Sequence, residues 1–254
     1  MDLPAVGLGT MGIDETEPIT RAIELGYRHL DTAQIYENEA TVGDAIAASP
    51  VDRDDLTVAT KLWIDHLAAD DVRPGTEASL DRLGLDAVDL LYVHRPRGDY
   101  EPASTLSALD AVADAGLTRA VALSNFEPDQ LRTARTHLDA PIAAHQVEFH
   151  PYFRQDELLA DAQEHDYPLV AYSPLAGGKV FDDPVLEDIA DKYNSSPATV
   201  AIAWLCAHDN VVTIPKASSP AHLRANLAAT DLTLDEADVA RIEGIDERVE
   251  LYPE

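Results

Sequence analysis

Cysteine, lysine and a balancing positive charge are what this chain most visibly lacks. One cysteine, Cys206, excludes an intramolecular disulfide and any multi-cysteine zinc site. Eighteen lysines and arginines face 47 acids, for a formal net charge of −29. A surface so acidic repels nucleic acid and anionic membranes, so neither is an expected partner. The sequence has no apolar run of about 18 residues, which excludes a membrane-spanning helix. Met1-Asp2-Leu3-Pro4 lacks a basic region leading into an apolar stretch, so no secretory signal is expected and the cytoplasm is the expected address. Long linkers and low-complexity tracts are missing as well. With 254 residues, 46% of them hydrophobic, the expectation is one domain spanning 1–254. No conspicuous apolar segment asks for a partner subunit, which points to a monomer.

The acids have a pattern. Asp outnumbers Glu 30 to 17, Arg outnumbers Lys 14 to 4, and the acids run along the whole chain. This resembles proteins from salt-loving organisms with molar salt in the cytoplasm. There the screening length shrinks to roughly 3 Å and self-repulsion becomes small. An ordinary acidic protein is the alternative.

What is present is a recurring unit: a helix, then Gly, then a short apolar strand. It appears at Leu25-Gly26 before His29-Leu30-Asp31, at Leu83-Gly84 before Val88-Asp89-Leu90, and at Ala115-Gly116 before Ala120-Val121-Ala122. Glycine just past a helix readily takes the left-handed conformation that ends it. Val72, Thr76, Leu80 and Leu83, then Leu106, Leu109, Val112 and Ala113, carry helical spacing. Eight strands are expected at 5–10, 29–33, 56–61, 88–94, 120–125, 143–147, 169–173 and 211–215. Alternating helices and apolar strands imply a parallel sheet, and eight units of this size imply an α/β protein of the (β/α)8 TIM-barrel type. Gly7-Leu8-Gly9-Thr10-Met11-Gly12 spells G-x-G-x-x-G, but no helix opens until near Pro18, so a doubly wound sheet is rejected.

Barrel chemistry collects at the C-terminal ends of strands. Seven of the eight strands end in polar residues: Asp31, Lys61, His94, Ser124 with Asn125, Gln146, Tyr172 with Ser173, and Lys216. Two of only four lysines close apolar runs, where a solubilising role would have suited Asp or Arg equally well. Other features read as structural. His145 and His150 are expected on opposite strand faces without a metal, Gly177-Gly178-Lys179 as a loop, and Cys206 as core.

These segments resemble the aldo-keto reductases. Gly26-Tyr27-Arg28-His29-Leu30-Asp31-Thr32-Ala33 with Tyr36-Glu37-Asn38-Glu39, then Leu83-Gly84-Leu85-Asp86 through His94, then Val212-Thr213-Ile214-Pro215-Lys216-Ala217 resemble that family's three signatures. Ser124-Asn125-Phe126, Gln146 through Tyr152, and Tyr172 through Gly178 fill the gaps in order, so the resemblance covers nearly the whole chain. It implies a barrel that transfers hydride between NADP, with NAD as the alternative, and the carbonyl of a small aldehyde or ketone, with shorter members acting on methylglyoxal and diketo-sugar acids. It also implies Asp31, Tyr36, Lys61 and His94 as the catalytic four. Tyr36 would be the acid, its pKa lowered by Lys61, with Asp31 holding the lysine and His94 the carbonyl. For the cofactor it implies Ser124, Asn125 and Gln146 on the carboxamide and Tyr172 against the ring. Ser173 and Leu175 would follow the pyrophosphate, with Lys216, Ser218 and His222 near the 2′-phosphate and Asn226 at the adenine.

The chain departs from the family pattern in places. Ala217 and His222 stand where many members have Ser and Arg, which weakens the 2′-phosphate clamp. Arg95 replaces the usual Trp and is expected either to meet a substrate carboxylate or to turn outward; Trp63 is the remaining aromatic wall candidate. A cofactor-binding sensor with little turnover is the alternative function. An isomerase or hydrolase is disfavoured, because Asp31 is the only strand-end carboxylate.

Overall fold

The computed structural model describes residues 2–253. Eight strands form one parallel sheet in sequence order: β1 (Leu8–Gly9), β2 (His29–Asp31), β3 (Thr57–Leu62), β4 (Val88–Val93), β5 (Thr118–Ser124), β6 (His145–Glu148), β7 (Leu169–Tyr172) and β8 (Val211–Thr213). The sheet closes through a bridge between Val6 and Thr213, where the Gly7 amide donates to the Thr213 carbonyl at 2.8 Å. This is a (β/α)8 barrel, as expected.

The strand limits differ from expectation for local reasons. The segment 5–10 is shared, with Val6 pairing to β8 and only Leu8–Gly9 pairing to β2. That stagger is what closure of a tilted barrel requires. β5 stops at Ser124 because Asn125 turns left-handed, with φ 60°. Glycine is demanded at position 7, where a Cβ would lie 2.7 Å from the buried His29 ring.

Among the described residues, ten helices surround the sheet: α1 (Thr16–Leu25), α2 (Glu39–Ala48), α3 (Ala69–Leu83), α4 (Pro102–Asp114), α5 (Pro128–Ala134), α6 (Asp156–Glu164), α7 (Pro184–Lys192), α8 (Pro197–Cys206), α9 (Pro220–Ala228) and α10 (Glu236–Glu243). Five of them open on proline, whose missing N–H costs nothing in the first turn. Gly26 and Gly84 end α1 and α3 in the left-handed region, at φ 115° and 64°. Val72, Thr76, Leu80 and Leu83 are buried on α3, as their spacing predicts. One apolar cluster lies between sheet and helices, and a second, including Leu90, Tyr92, Val170 and Ile214, joins residues across the barrel's own strands. Cys206 is half-buried at the edge of the outer core rather than inside it, because it sits on the last turn of α8. No helix among the described residues is long and apolar enough to cross a membrane.

Three buried histidines make stability pH-dependent. His29 has neither ring nitrogen partnered, and burial pushes its pKa down despite nearby Asp31. His145 accepts the Phe126 amide at Nε2, so it is held neutral; burial lowers its pKa to about 3. Burial, Lys61 and Arg95 lower His94 to about 2. The unfolded chain, with His near 6.5, therefore binds these protons first. Stability is fully present above that value and is lost as pH falls toward the folded values. At constant 2 M KCl, lowering the pH from 7 to 5.5 should cost about 1 kcal/mol per histidine. Urea midpoints across that range check it, and a flat profile would refute it.

Candidate active site

The C-terminal strand ends meet at a cavity of about 480 Å³. Asp31 ends β2, Lys61 lies on β3, His94 follows β4, and Tyr36 sits on a 3-10 turn, Gln34–Tyr36, after β2. The fully buried Lys61 ammonium joins two of the others. Its Nζ donates to Asp31 Oδ1 at 2.5 Å, to the Thr32 carbonyl at 2.9 Å and to Tyr36 Oη at 3.4 Å. Asp31 Oδ2 accepts from Gln146 Nε2 at 2.7 Å, so both carboxylate oxygens are occupied. His94 meets the rings of Tyr36 and Trp63 edge-on at 5.9 and 5.0 Å. Tyr36, His94, Trp63 and Arg95 line the cavity, while Lys61 stands behind them.

Burial opposes the Lys61 charge, but Asp31 and Tyr36 outweigh it and hold its pKa above the ordinary lysine value. For Tyr36 the sequence expectation needs correction. Lys61 does pull its pKa down, but burial pulls harder in the other direction and the phenol ends above its usual value. Tyr36 is therefore a protonated hydroxyl at neutral pH. It can donate a proton, with a cation beside it to stabilise the oxygen that remains.

Two side chains missed by the sequence reading pin the loops that carry these groups. The Gln34 amide takes up the Trp63 N–H at 2.8 Å and His66 Nδ1 at 3.0 Å through Oε1, and Nε2 donates to the Gly75 carbonyl and Ser79 Oγ. Buried Asn38 donates to the Thr10 and Ile13 carbonyls and accepts from Thr32 Oγ. Both lie inside the first signature, but only tertiary contacts reveal what they hold.

On the opposite side, Asn125, Gln146, Tyr172 and Ser173 reach the cavity. Asn125 Nδ2 donates to the His94 carbonyl and to Ser124 Oγ, at 2.9 and 3.0 Å, and its Oδ1 accepts from the Tyr172 hydroxyl at 2.9 Å. Ser124 is not offered to a ligand: it is fully buried and donates to the Gln146 carbonyl at 2.9 Å. Leu175 packs against the outer core instead of lining the cavity. Buried Asn226 lies beside Tyr27 and does not reach the cavity either. Ser218 and His222 are exposed outside it. His145 and His150 are both buried, and no metal-binding group of acids, histidines and cysteines occurs among the described residues.

Residues 5–247 match the aldo/keto reductase family. The chain belongs to that family. The methylglyoxal reductase DkgB of Escherichia coli O157:H7 is 39% identical over 252 residues, covering 97% of this chain and 94% of the relative. The thermostable aldo-keto reductase Tm1743, solved with the inhibitor epalrestat, is 35% identical with a TM-score of 0.90, over 96% of this chain and 95% of its own. MGS-M4, an aldo-keto reductase from a Medee basin deep-sea metagenome library, is 31% identical with a TM-score of 0.94, over 100% and 95%. This aldo-keto reductase is an oxidoreductase that reduces carbonyl groups with a nicotinamide dinucleotide.

The cavity rim of this aldo-keto reductase suits such a cofactor. Lys61, Lys179 and Lys192 each pair with a carboxylate, but exposed Lys216 at the rim has no carboxylate partner among the described residues. In a chain with 47 acids, a cation kept clear of them is fit for an outside anion. Exposed Arg224 nearby in sequence bonds only the Pro220 carbonyl of its own helix, at 3.4 Å.

Proposed function

We propose that this aldo-keto reductase uses NADPH to reduce small aldehydes and ketones, dicarbonyls and keto-sugar acids among them. It would do so as a cytoplasmic monomer of one barrel domain, adapted to molar salt. The observation that carries this reading is the Lys61 ammonium in hydrogen-bond reach of both Asp31 and Tyr36 at the cavity floor.

The bound nicotinamide supplies the hydride. Tyr36 Oη donates a proton to the carbonyl oxygen as that oxygen becomes alkoxide-like, and Lys61 stabilises the phenolate left behind. Asp31 keeps Lys61 charged and aimed. His94 is neutral, and its Nδ1 is buried without a partner, which leaves Nε2–H to hold the carbonyl oxygen in place. Asn125 and Gln146 take the carboxamide, with Ser124 holding Asn125, and Tyr172 and Ser173 flank the cofactor. Lys216, with Ser218 and His222, meets the 2′-phosphate. Trp63 and Arg95 contact the substrate.

Initial rates of NADPH and NADH oxidation in about 2 M KCl, with methylglyoxal as acceptor, test the reading. Cofactor binding without turnover on any carbonyl compound would favour a sensor. Lys216→Ala should raise KM for NADPH about tenfold and leave KM for NADH within a factor of two, since one charge-assisted contact is lost. Equal effects on both cofactors would refute the assignment. Arg95 is half-buried on the cavity wall and acts electrostatically on His94 and Tyr172. Arg95→Leu should lower kcat/KM for succinic semialdehyde about tenfold more than for uncharged butanal. An equal loss on both would remove carboxylate recognition from its role.

A further inference from the structure

Tyr36 stands on a turn with no footing of its own in the core. None of the three residues Gln34–Tyr36 is buried, and Ile35 is 45% exposed at the cavity. The backbone bonds of the turn are local: the Tyr36 amide donates to the Ala33 carbonyl and the Glu37 amide to the Gln34 carbonyl, both at 3.1 Å. Such bonds fix the shape of a turn but not its place against the rest of the protein. A segment with few buried apolar contacts opens readily unless side chains tie it to other elements. Among the described residues this turn has two such ties, Tyr36 itself at 3.4 Å from Lys61 Nζ, and Gln34.

Gln34 is the stronger tie. Its Oε1 accepts the Trp63 backbone N–H at 2.8 Å and meets His66 Nδ1 at 3.0 Å, while its Nε2 donates to the Gly75 carbonyl at 3.0 Å and to Ser79 Oγ at 3.1 Å. The Trp63 amide can only donate and the Gly75 carbonyl can only accept, so the side-chain amide has one possible orientation, and His66 Nδ1 must carry a hydrogen. All four hydrogen-bonding positions of the amide are then used. These bonds run to the loop after β3, which carries Trp63, and to α3. The two are closely fitted to each other: a Cβ on Gly75 would lie 3.1 Å from the His66 side chain and 3.3 Å from Leu62, so glycine is what lets α3 approach this loop. From Ser79 the network continues. Ser79 Oγ accepts from Arg82 at 3.1 Å, Arg82 pairs with buried Glu39 at 2.6 Å, and Glu39 Oε1 accepts from Thr60 Oγ at 2.5 Å, next to Lys61 on β3. One helix thus braces both the turn that carries Tyr36 and the strand that carries its cation.

We infer that Gln34 is a positioning residue for the reduction, setting the Tyr36 hydroxyl against Lys61 and the Trp63 ring against the substrate, with α3 as the fixed reference. Resting on the reductase reading, this gives Gln34 a share in the rate of the chemical step and none in cofactor affinity. Misplacing a reacting group by about 1 Å costs on the order of 10²-fold in rate; here Lys61 still holds Tyr36 from one side, so a smaller loss is expected.

Gln34→Met tests it, because it keeps the length of the side chain and removes all four bonds. In molar KCl, with protein in excess over NADPH and methylglyoxal in large excess, the variant should oxidise its cofactor about tenfold more slowly than the native protein in a single turnover. The amplitude should be unchanged and Kd for NADPH should stay within a factor of two. A merely structural role would do the reverse, lowering the amplitude by the fraction misfolded and leaving the rate constant native. Trp63 gives a second readout, since the chain has two tryptophans and the other, Trp204, is fully buried. Acrylamide should quench Gln34→Met more steeply than the native protein. Gln34→Glu keeps the acceptor and replaces the donor, so quenching should stay native while the rate falls, and it decides the matter if Gln34→Met fails to fold. A native rate constant in the variants, or a loss confined to amplitude, overturns the inference and leaves the reductase reading standing. Absence of cofactor oxidation by the native protein on any carbonyl compound would instead remove that reading.

Discussion

Replacing Tyr36 by phenylalanine should lower kcat for carbonyl reduction by about 10²–10⁴-fold, the usual contribution of a positioned general acid. The substitution removes one oxygen and leaves the ring that meets His94 edge-on. Lys61 keeps Asp31 and the Thr32 carbonyl as partners, so its charge remains compensated. Folding should therefore be nearly unaffected, and cofactor affinity should stay within a factor of two. Lys61→Met is a poorer test. It would leave the buried Asp31 carboxylate without its cation, and breaking a buried pair costs about 3–5 kcal/mol of stability. Because burial holds Tyr36 above the usual phenol value, the rate of reduction should also stay level from pH 7 to 9. Single-turnover rates for the native and Tyr36→Phe proteins check both points. A variant retaining more than a tenth of the native rate would take the proton from another group.

The barrel was legible because its strands obey a simple rule: buried on both faces, they read as apolar runs that end in polar residues. Asp31, Lys61 and His94 could be found that way with no knowledge of any relative. Tyr36 could not, since it lies beyond β2 on a short 3-10 turn, and only the family resemblance pointed to it. The direction of its pKa was illegible for a different reason. Proximity to Lys61 follows from the motif, but how deeply both are buried depends on loops that the Gln34 and Asn38 side chains pin.

The cofactor-side residues that stand away from this cavity do so for reasons of packing. Ser124 and Asn125 are neighbours, and adjacent residues at a strand end cannot both face the cavity. Asn125 takes it by turning left-handed, leaving Ser124 to brace it from behind. Leu175 and Asn226 were aligned to motif positions, but packing against the outer core and Tyr27 decides where they point.

Dilution from 2 M KCl into 10 mM salt should unfold this protein cooperatively and abolish its activity. An accessible surface of 11008 Å² carries a formal charge of −29. That is about one uncompensated negative charge per 380 Å², or a mean spacing of roughly 20 Å. At 10 mM the screening length is about 30 Å, so every excess charge repels several neighbours; at 1 M it is about 3 Å and only adjacent acids interact. Local runs such as Asp54-Asp55 and Asp70-Asp71 steepen the effect. Opposed to this is a net stability of about 5–15 kcal/mol for an ordinary domain, small enough for summed repulsion to exceed. Ellipticity at 222 nm and turnover, followed together against KCl at pH 7.5, should fall in one transition. Sodium chloride at equal ionic strength should restore both, whereas sucrose at equal osmolality should not, because it screens no charge. Recovery in sucrose would assign the effect to solvent exclusion from the surface instead. Full ellipticity and activity at 10 mM would show that the 47 acids tune solubility alone, with the fold holding against its own charge.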